Sequence, residues 1–302
     1  MMLNDFVGKE DIKQLIRFKI ESAKHEGSNL PNIIISGPGG TGKTTIAHII
    51  ANEFGAKIHE HSARSFSNVN VFNQAIYTVK KGEILFIDEI QDLPKRFWTI
   101  LYKVMEEKTL PIVVGGRSVN VTLDDFTIMG ATTDTGSLSS SLIDRFDGGH
   151  IQIGAYSKED LKTLFQIRST VNVNDDALDL LSRAARGTPR IAVGIAKHIN
   201  SFIKLYNLQS FDVVNAGQAL SLIGIDKYGL NATDREYIRI LMELFRFQSV
   251  AIDTIEGIIG VNKKTLISDH EPYLMSEGYL IKSGRGRTLT DEGMKIYNIL
   301  FN

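Results

Sequence analysis

Short apolar runs alternate with amphipathic stretches over the first half of the chain. Three of these runs are too short for helices and predict buried strands, at residues 32–36, 83–88 and 126–132. Residues 44–54 instead carry a helical pattern, which ends at the stop signal Gly55. Because strands separated by helices form parallel sheets covered on both faces, we predict an α/β domain over residues 1–153.

The rest of the chain predicts a different organisation. Helical patterns follow Ser157, a plausible helix cap, at residues 158–167, 176–185 and 189–205. After Tyr228, helices lead to two short strands around residues 284–287, an order typical of a winged helix-turn-helix. We therefore predict a small helical domain at 154–225 and a winged helix at 226–302.

One further pattern lies inside the first domain. Residues 112–121 form two alternating runs around Gly115-Gly116, which predicts a β-hairpin.

Composition limits the class of protein. The chain has 302 residues, 43% of them hydrophobic, and no apolar run approaches the roughly 18 residues that a membrane span needs. The first residues lack a signal-peptide pattern, so we expect a cytoplasmic protein without membrane contact. The absence of cysteine excludes disulfides and thiolate zinc sites. With a net charge of −1, any binding to nucleic acid must come from local basic groups.

The strongest chemical signal is a phosphate-binding loop. Residues 37–44 match G-x-x-x-x-G-K-[ST] between a predicted strand and helix, which is the context that gives the motif meaning. Lys43 should reach the β- and γ-phosphates of ATP, and the Thr44 hydroxyl should ligate Mg²⁺. The predicted nucleotide contacts are Gly37, Gly39, Gly40, Thr41, Gly42, Lys43, Thr44 and Thr45.

Two acids follow the second predicted strand. Asp88 and Glu89 come at its carboxyl end, where open α/β sheets bind ligands. Asp88 would hold Mg²⁺, partly through water, and Glu89 would act as the base for the attacking water. A hydroxyl of Thr132 or Thr133, at the end of the third strand, could orient that water. Arg145, after a Ser-rich loop, is a candidate arginine finger for a neighbouring subunit.

The winged-helix region is not basic as a whole, with ten Lys or Arg and eleven Asp or Glu from residue 226 to 302. Its predicted wing nevertheless carries three cations beside glycines, Lys282, Arg285 and Arg287, which suits phosphate contacts with duplex or branched DNA. A solvated hairpin or a protein-binding wing is the alternative.

In combination, these motifs resemble the RuvB family of Holliday-junction branch-migration motors, which are AAA+ P-loop ATPases. The resemblance extends from end to end and rests on residues 3–10, 37–53, 85–90, 130–133, 136–140, 187–192, 271–274 and 284–287. Gln91 departs from the family, which usually has His there.

The resemblance implies an AAA+ domain, a helical lid and a winged helix, assembled as a hexameric ring around DNA that hydrolyses ATP to move junction arms. It implies that Thr133 is the first sensor, Arg145 the trans-acting finger and Arg190 the second sensor, contacting phosphate in cis. The family docks its junction-binding partner RuvA on the hairpin, which looks shorter here, so a RuvA-like partner is left open.

Two other functions are compatible with the sequence. The same ATPase could load or remodel a replication protein, or the chain could be a nucleotide-gated DNA-binding module without turnover. Sustained translocation distinguishes the first from a DNA motor, and the set Glu89, Thr133 and Arg145 argues for turnover.

Overall fold

The structure, a computed structural model, describes residues 1–114, 117–246 and 248–301. The chain forms two compact units, the first made of Met1–Asp160 with Thr188–Arg190, the second of Leu161–Gly187 and the chain from Ile191 onward. The finer division into three domains, at 1–153, 154–225 and 226–302, stays a prediction. None of the helices within the described residues is long and apolar enough to cross a membrane.

The first unit is built on a parallel sheet. Its strands, with those of the hairpin, are β1 (Ile33–Ser36), β2 (Ile58–Ser62), β3 (Ile84–Asp88), β4 (Thr109–Val114), β5 (Arg117–Thr122), β6 (Thr127–Thr132) and β7 (His150–Gln152). Its helices are α1 (Glu10–Glu26), α2 (Lys43–Phe54), α3 (Val69–Tyr77), α4 (Lys95–Glu107) and α5 (Ser140–Ile143). Five strands pair in parallel in the order β2-β3-β6-β1-β7.

This order confirms the predicted sheet and brings the chemical residues together. Strands β1 and β6 are buried along their whole length, as is β3 except at its last residue. Because β6 lies between β1 and β3, the phosphate loop after β1, the acids at the end of β3 and Thr133 after β6 share one edge of the sheet. Helix α2 ends where predicted, with the Gly55 N–H bonded to the Ala51 carbonyl.

The hairpin strands are also confirmed. Strands β4 and β5 pair antiparallel, with Val114 opposite Arg117. The predicted turn at Gly115-Gly116 lies outside the described residues.

The lid region contains more structure than the sequence indicated. Its elements are α6 (Lys158–Arg168), β8 (Asn172–Val173), α7 (Asp175–Ala184), α8 (Pro189–Leu205), β9 (Ser210–Phe211) and α9 (Val213–Leu222). Ser157 caps α6 as predicted, since its hydroxyl accepts from the Asp160 N–H at 3.1 Å. Helix α9 was not predicted individually; a capping box between Asp212 and Asn215 starts it.

The last part of the chain is a winged helix, as predicted. It contains α10 (Ala232–Glu243), α11 (Ile252–Ile259), α12 (Lys263–Thr265), a π-helical segment (Leu266–His270), α13 (Glu271–Ser276), β10 (Leu280–Ser283), β11 (Gly286–Leu289) and α14 (Asp291–Phe301). The helices pack around buried Tyr237, Ile255, Leu266 and Leu274. Strands β10 and β11 pair antiparallel, which places Gly284 and Arg285 in the turn.

Candidate nucleotide site and wing

The phosphate loop connects β1 to α2 in a backbone conformation that requires glycine. Gly40 and Gly42 have φ values of 78° and 100°, in the left-handed region. Both positions are also crowded, because a Cβ on Gly40 would lie 2.9 Å from the Arg190 Cβ and one on Gly42 would lie 3.2 Å from the Phe6 ring. Side chains at these two positions would therefore disturb the shape of the loop. A loop of this kind before a helix N-terminus is suited to bind phosphate oxygens through its N–H groups.

Lys43 is the cation of this loop. It is buried, and its Nζ donates to the carbonyl oxygens of Gly37 at 2.9 Å and Pro38 at 3.2 Å. Burial lowers the pKa of the ammonium, an effect opposed by the nearby carboxylates of Glu89 and Asp88. A charged phosphate oxygen is a stronger acceptor than a carbonyl, so this ammonium is suited to bind phosphate.

Thr44 and Asp88 bring oxygen ligands together. The Thr44 hydroxyl lies 3.5 Å from Asp88 Oδ2, across the gap between α2 and β3. Burial raises the pKa of the Asp88 carboxyl, partly offset by the hydrogen bond from the Glu89 N–H. Among the described residues, no three His, Asp or Glu side chains form a metal cage. The pair fits Mg²⁺, which prefers oxygen ligands and is usually held by one or two carboxylates together with substrate phosphates.

Glu89 is held by side chains from two segments. Its backbone has a φ of 51°, unusual for a residue other than glycine. Its Oε2 accepts hydrogen bonds from the Thr133 hydroxyl at 2.9 Å and from Gln91 Nε2 at 2.5 Å. The predicted base and the predicted sensor are thus in direct contact.

Arg190 also approaches the loop. Its backbone N–H donates to the Gly40 carbonyl at 3.2 Å. Its guanidinium is close enough to contribute to the lowered pKa of Lys43. A second cation therefore lies beside the phosphate loop, where the resemblance expects a sensor.

Arg145 makes a separate set of contacts. Its guanidinium pairs with Glu106 at 2.8 Å, lies 4.4 Å above the ring of Tyr102 and donates to the Ser141 carbonyl. None of the contacts described for Arg145 involves Lys43, Asp88 or Glu89. The structure therefore does not bring Arg145 to the site of its own subunit.

The structure supports two of the three cations predicted for the wing surface and contradicts the third. Arg285 is exposed in the turn and Lys282 is exposed on β10, as a DNA-contacting surface needs. The prediction that Arg287 lies on the exposed tip was wrong. Arg287 is only 8% exposed, and its Nε donates to Oε1 of the fully buried Glu271 at 2.8 Å. Its charge is used inside the winged helix, because a buried carboxylate needs a paired cation.

Two residues near the site had no role predicted from the sequence. Phe6 packs against the phosphate loop at Gly42, and Gln91 contacts Glu89 and Thr133. Phe6 carried no signal beyond the family resemblance of its segment. Gln91 carried one, since it stands where the family usually has His.

Comparisons with known proteins agree with this geometry. Residues 1–151 match the family model for the P-loop domain of the Holliday junction DNA helicase RuvB. Residues 227–298 match the model for the RuvB C-terminal winged-helix domain. The two matches cover the nucleotide site and the wing.

Similar proteins cover nearly the whole chain. The Holliday junction branch migration complex subunit RuvB of Acholeplasma laidlawii is 34% identical over 99% of this chain and 89% of its own length. The corresponding protein of Fervidobacterium nodosum is 32% identical, over 99% and 88%. The structure of the Thermotoga maritima RuvB Holliday junction branch migration motor superposes with a TM-score of 0.86 at 30% identity, covering 98% of this chain and 97% of that one. With its P-loop ATPase domain and its winged helix, the chain belongs to the RuvB family.

Proposed function

We propose that this protein is an ATP-driven motor that moves the arms of Holliday junctions or related branched DNA. The observation that carries the proposal is the cluster of Lys43, Asp88, Glu89 and Thr133 at one edge of the sheet, in a chain that ends in a winged helix. Phosphate loops without a positioned base bind nucleotides, whereas a carboxylate held beside the loop is suited to hydrolysis.

Each residue of the cluster has a distinct task in ATP hydrolysis. The N–H groups of residues 39–44 and the Lys43 ammonium bind the phosphates and offset their charge. Thr44 and Asp88 would hold Mg²⁺, which when bound would neutralise charge on the phosphates. Glu89 accepts a proton from the attacking water, and Thr133 keeps the carboxylate in place. Arg190 supplies a second cation from the start of α8.

We further propose that the active site is completed by a neighbouring copy of the chain. Arg145 is the candidate, because its described contacts are with Glu106, Tyr102 and Ser141 instead of its own nucleotide site. A ring, with six subunits as in the resemblance, would bring this guanidinium to the next subunit. Exchange of the Glu106 carboxylate for a phosphate would then accompany assembly.

DNA contact is proposed for the exposed cations of the wing, Lys282 and Arg285. One cation in a glycine-containing turn and a second on the adjoining strand β10 suit phosphates, which position DNA without reading its sequence. A RuvA-like partner would dock on the hairpin of β4 and β5, and the cytoplasmic location stays a prediction.

The test is ATP turnover measured alone, with linear duplex and with a four-way junction. We expect DNA to stimulate turnover and the junction to be bound, with Glu89→Gln as the inactive control. If turnover depended on Glu89 but neither DNA stimulated it nor bound, the protein would be an ATPase that remodels another protein, and the DNA-motor proposal would be wrong.

A further inference from the structure

Gln91 closes a triangle of hydrogen bonds around the predicted base. It lies in the 3-10 turn Ile90–Asp92 that follows Glu89. Its Nε2 is 2.5 Å from Glu89 Oε2 and 3.2 Å from the Thr133 hydroxyl oxygen. Thr133 in turn donates to the same Glu89 oxygen at 2.9 Å. Two donors therefore converge on one carboxylate oxygen, Oε2.

The orientation of the Gln91 amide follows from its neighbours. A carboxylate only accepts, so the NH₂ group must face Glu89, and the reverse orientation would set two acceptors against each other. In this orientation the Gln91 carbonyl oxygen is buried and has no hydrogen-bond partner among the described residues. An unpaired buried acceptor lowers stability. The Gln91 side chain therefore contacts Glu89 although its own carbonyl oxygen is left without a hydrogen bond.

The turn does not need the Gln91 side chain for its shape. The Asp92 N–H bonds to the Glu89 carbonyl at 2.8 Å, and the Leu93 N–H bonds to the Ile90 carbonyl at 3.0 Å. The side chains of Ile90 and Leu93 are buried in the core beneath it. Loss of the Gln91 amide should therefore leave the turn in place and affect the Glu89 carboxylate.

We propose that Gln91 is a positioning residue for ATP hydrolysis, which fixes the Glu89 carboxylate through Oε2 and ties it to Thr133. With Oε2 held by two donors, the other oxygen of Glu89 is left to take the proton from water. This inference rests on the proposed role of Glu89 as the base.

The decisive variant is Gln91→Leu, which has a similar size and no hydrogen-bonding group. We expect kcat to fall about tenfold or more, the loss typical of a displaced catalytic group, with KM for ATP within about twofold. The melting temperature should not fall by more than about 2 °C, since an unpaired buried acceptor is removed. Gln91→Glu should lower kcat further, because two carboxylates would then face each other.

A matched control comes from the same turn. The Asp92 side chain pairs with Arg64 on the surface and has no described contact with Glu89. The Asp92 backbone N–H, which bonds to the Glu89 carbonyl, is unchanged in Asp92→Asn, so this variant should keep the kcat of the unmodified protein. A structural role for the turn as a whole would instead make both variants lose activity and stability together, and that result would overturn the proposal.

Different results would disprove the positioning role of Gln91 and the base role of Glu89. If Glu89→Gln kept full kcat, the base assignment itself would be wrong. If Glu89→Gln were inactive but Gln91→Leu kept full kcat or exceeded it, only the positioning role would be wrong. In single-turnover measurements, Gln91→Leu added to Glu89→Gln should cause no further loss, because the residue acts through that carboxylate; an additive loss would contradict this.

Discussion

Two arginines of the wing, separated by one residue, should respond to mutation in opposite ways. Arg287 faces Glu271, which is fully buried and accepts three hydrogen bonds: from Tyr237 at 3.0 Å and from Arg287 at 2.8 and 3.3 Å. Arg287→Met would leave a buried carboxylate with one of the three. Breaking a buried pair in this way costs about 3–5 kcal/mol. Arg285 is exposed, and Arg285→Ala should change stability by about 0.5 kcal/mol or less.

Hydrogen exchange resolved along the sequence measures this difference where it arises. A loss of about 3–5 kcal/mol should speed exchange of the core amides of α13 and β11 by about 10²–10⁴-fold in Arg287→Met, since each tenfold corresponds to about 1.4 kcal/mol. The amides of the first unit serve as an internal control. Adding Glu271→Gln should restore part of the protection, because it neutralises the charge left without a partner.

For DNA binding, the larger effect should come from Arg285→Ala and the smaller one from Arg287→Met. Arg285→Ala should make the dependence of log K on log salt less steep by about one unit, the contribution of about one phosphate contact. Arg287→Met, measured while the winged helix is folded, should keep the slope of the unmodified protein. If Arg287→Met instead kept full protection from exchange and lost a unit of salt slope, Arg287 would be a DNA contact and not a structural cation.

Three further predictions concern catalysis, assembly and pH. Glu89→Gln should lower ATP turnover about a hundredfold or more while nucleotide binding, measured with a fluorescent analogue, stays nearly intact, whereas Lys43→Ala should weaken binding itself; normal turnover in Glu89→Gln would reject the base. Arg145→Ala and Lys43→Ala chains, each inactive alone, should regain some turnover when mixed, and no recovery despite demonstrated co-assembly would argue against a trans role. Burial alone would raise the pKa of Asp234, but the hydrogen bond from His270 and the charge of Arg186 hold it below its ordinary value of 3.8. Its contribution to stability is therefore complete above pH 3.8 and lost as the pH falls toward the lower folded value, so acid unfolding curves of Asp234→Asn should lose stability less steeply over this range than those of the unmodified protein.

The nucleotide site was largely predictable from sequence because its parts follow strands. A buried strand can be predicted because it is a short apolar run. The chain direction then places the residues after Ser36, Asp88 and Thr132 at the carboxyl ends of their three strands. Which of these strand ends are neighbours depends on the order of the strands in the sheet, and the hydrophobic pattern of the sequence does not predict that order. The contact between Glu89 and Thr133 thus depended on β6 pairing with β3.

The wing was harder because strand periodicity does not tell which face is buried. Residues 282–287 contain cations and glycines at both exposed and buried positions, with Arg285 exposed in the turn and Arg287 buried on β11, directly opposite Lys282. Arg287 can be buried because it pairs with Glu271. Since Glu271 lies in a different element, no local sequence pattern predicts the pair. The role of Gln91 was hidden for the same reason, since Thr133 meets it from another strand end.

We propose that ATP hydrolysis at this site drives the movement of DNA junctions. The most direct measurement follows a synthetic four-way junction with labelled arms and records the separation of the arms over time. With the unmodified protein, ATP and Mg²⁺, we expect the junction to migrate to completion, and to stay in place with Glu89→Gln or a non-hydrolysable ATP analogue. Rapid ATP hydrolysis on bound junctions without any movement of the arms, even with a RuvA-like protein added, would contradict the account.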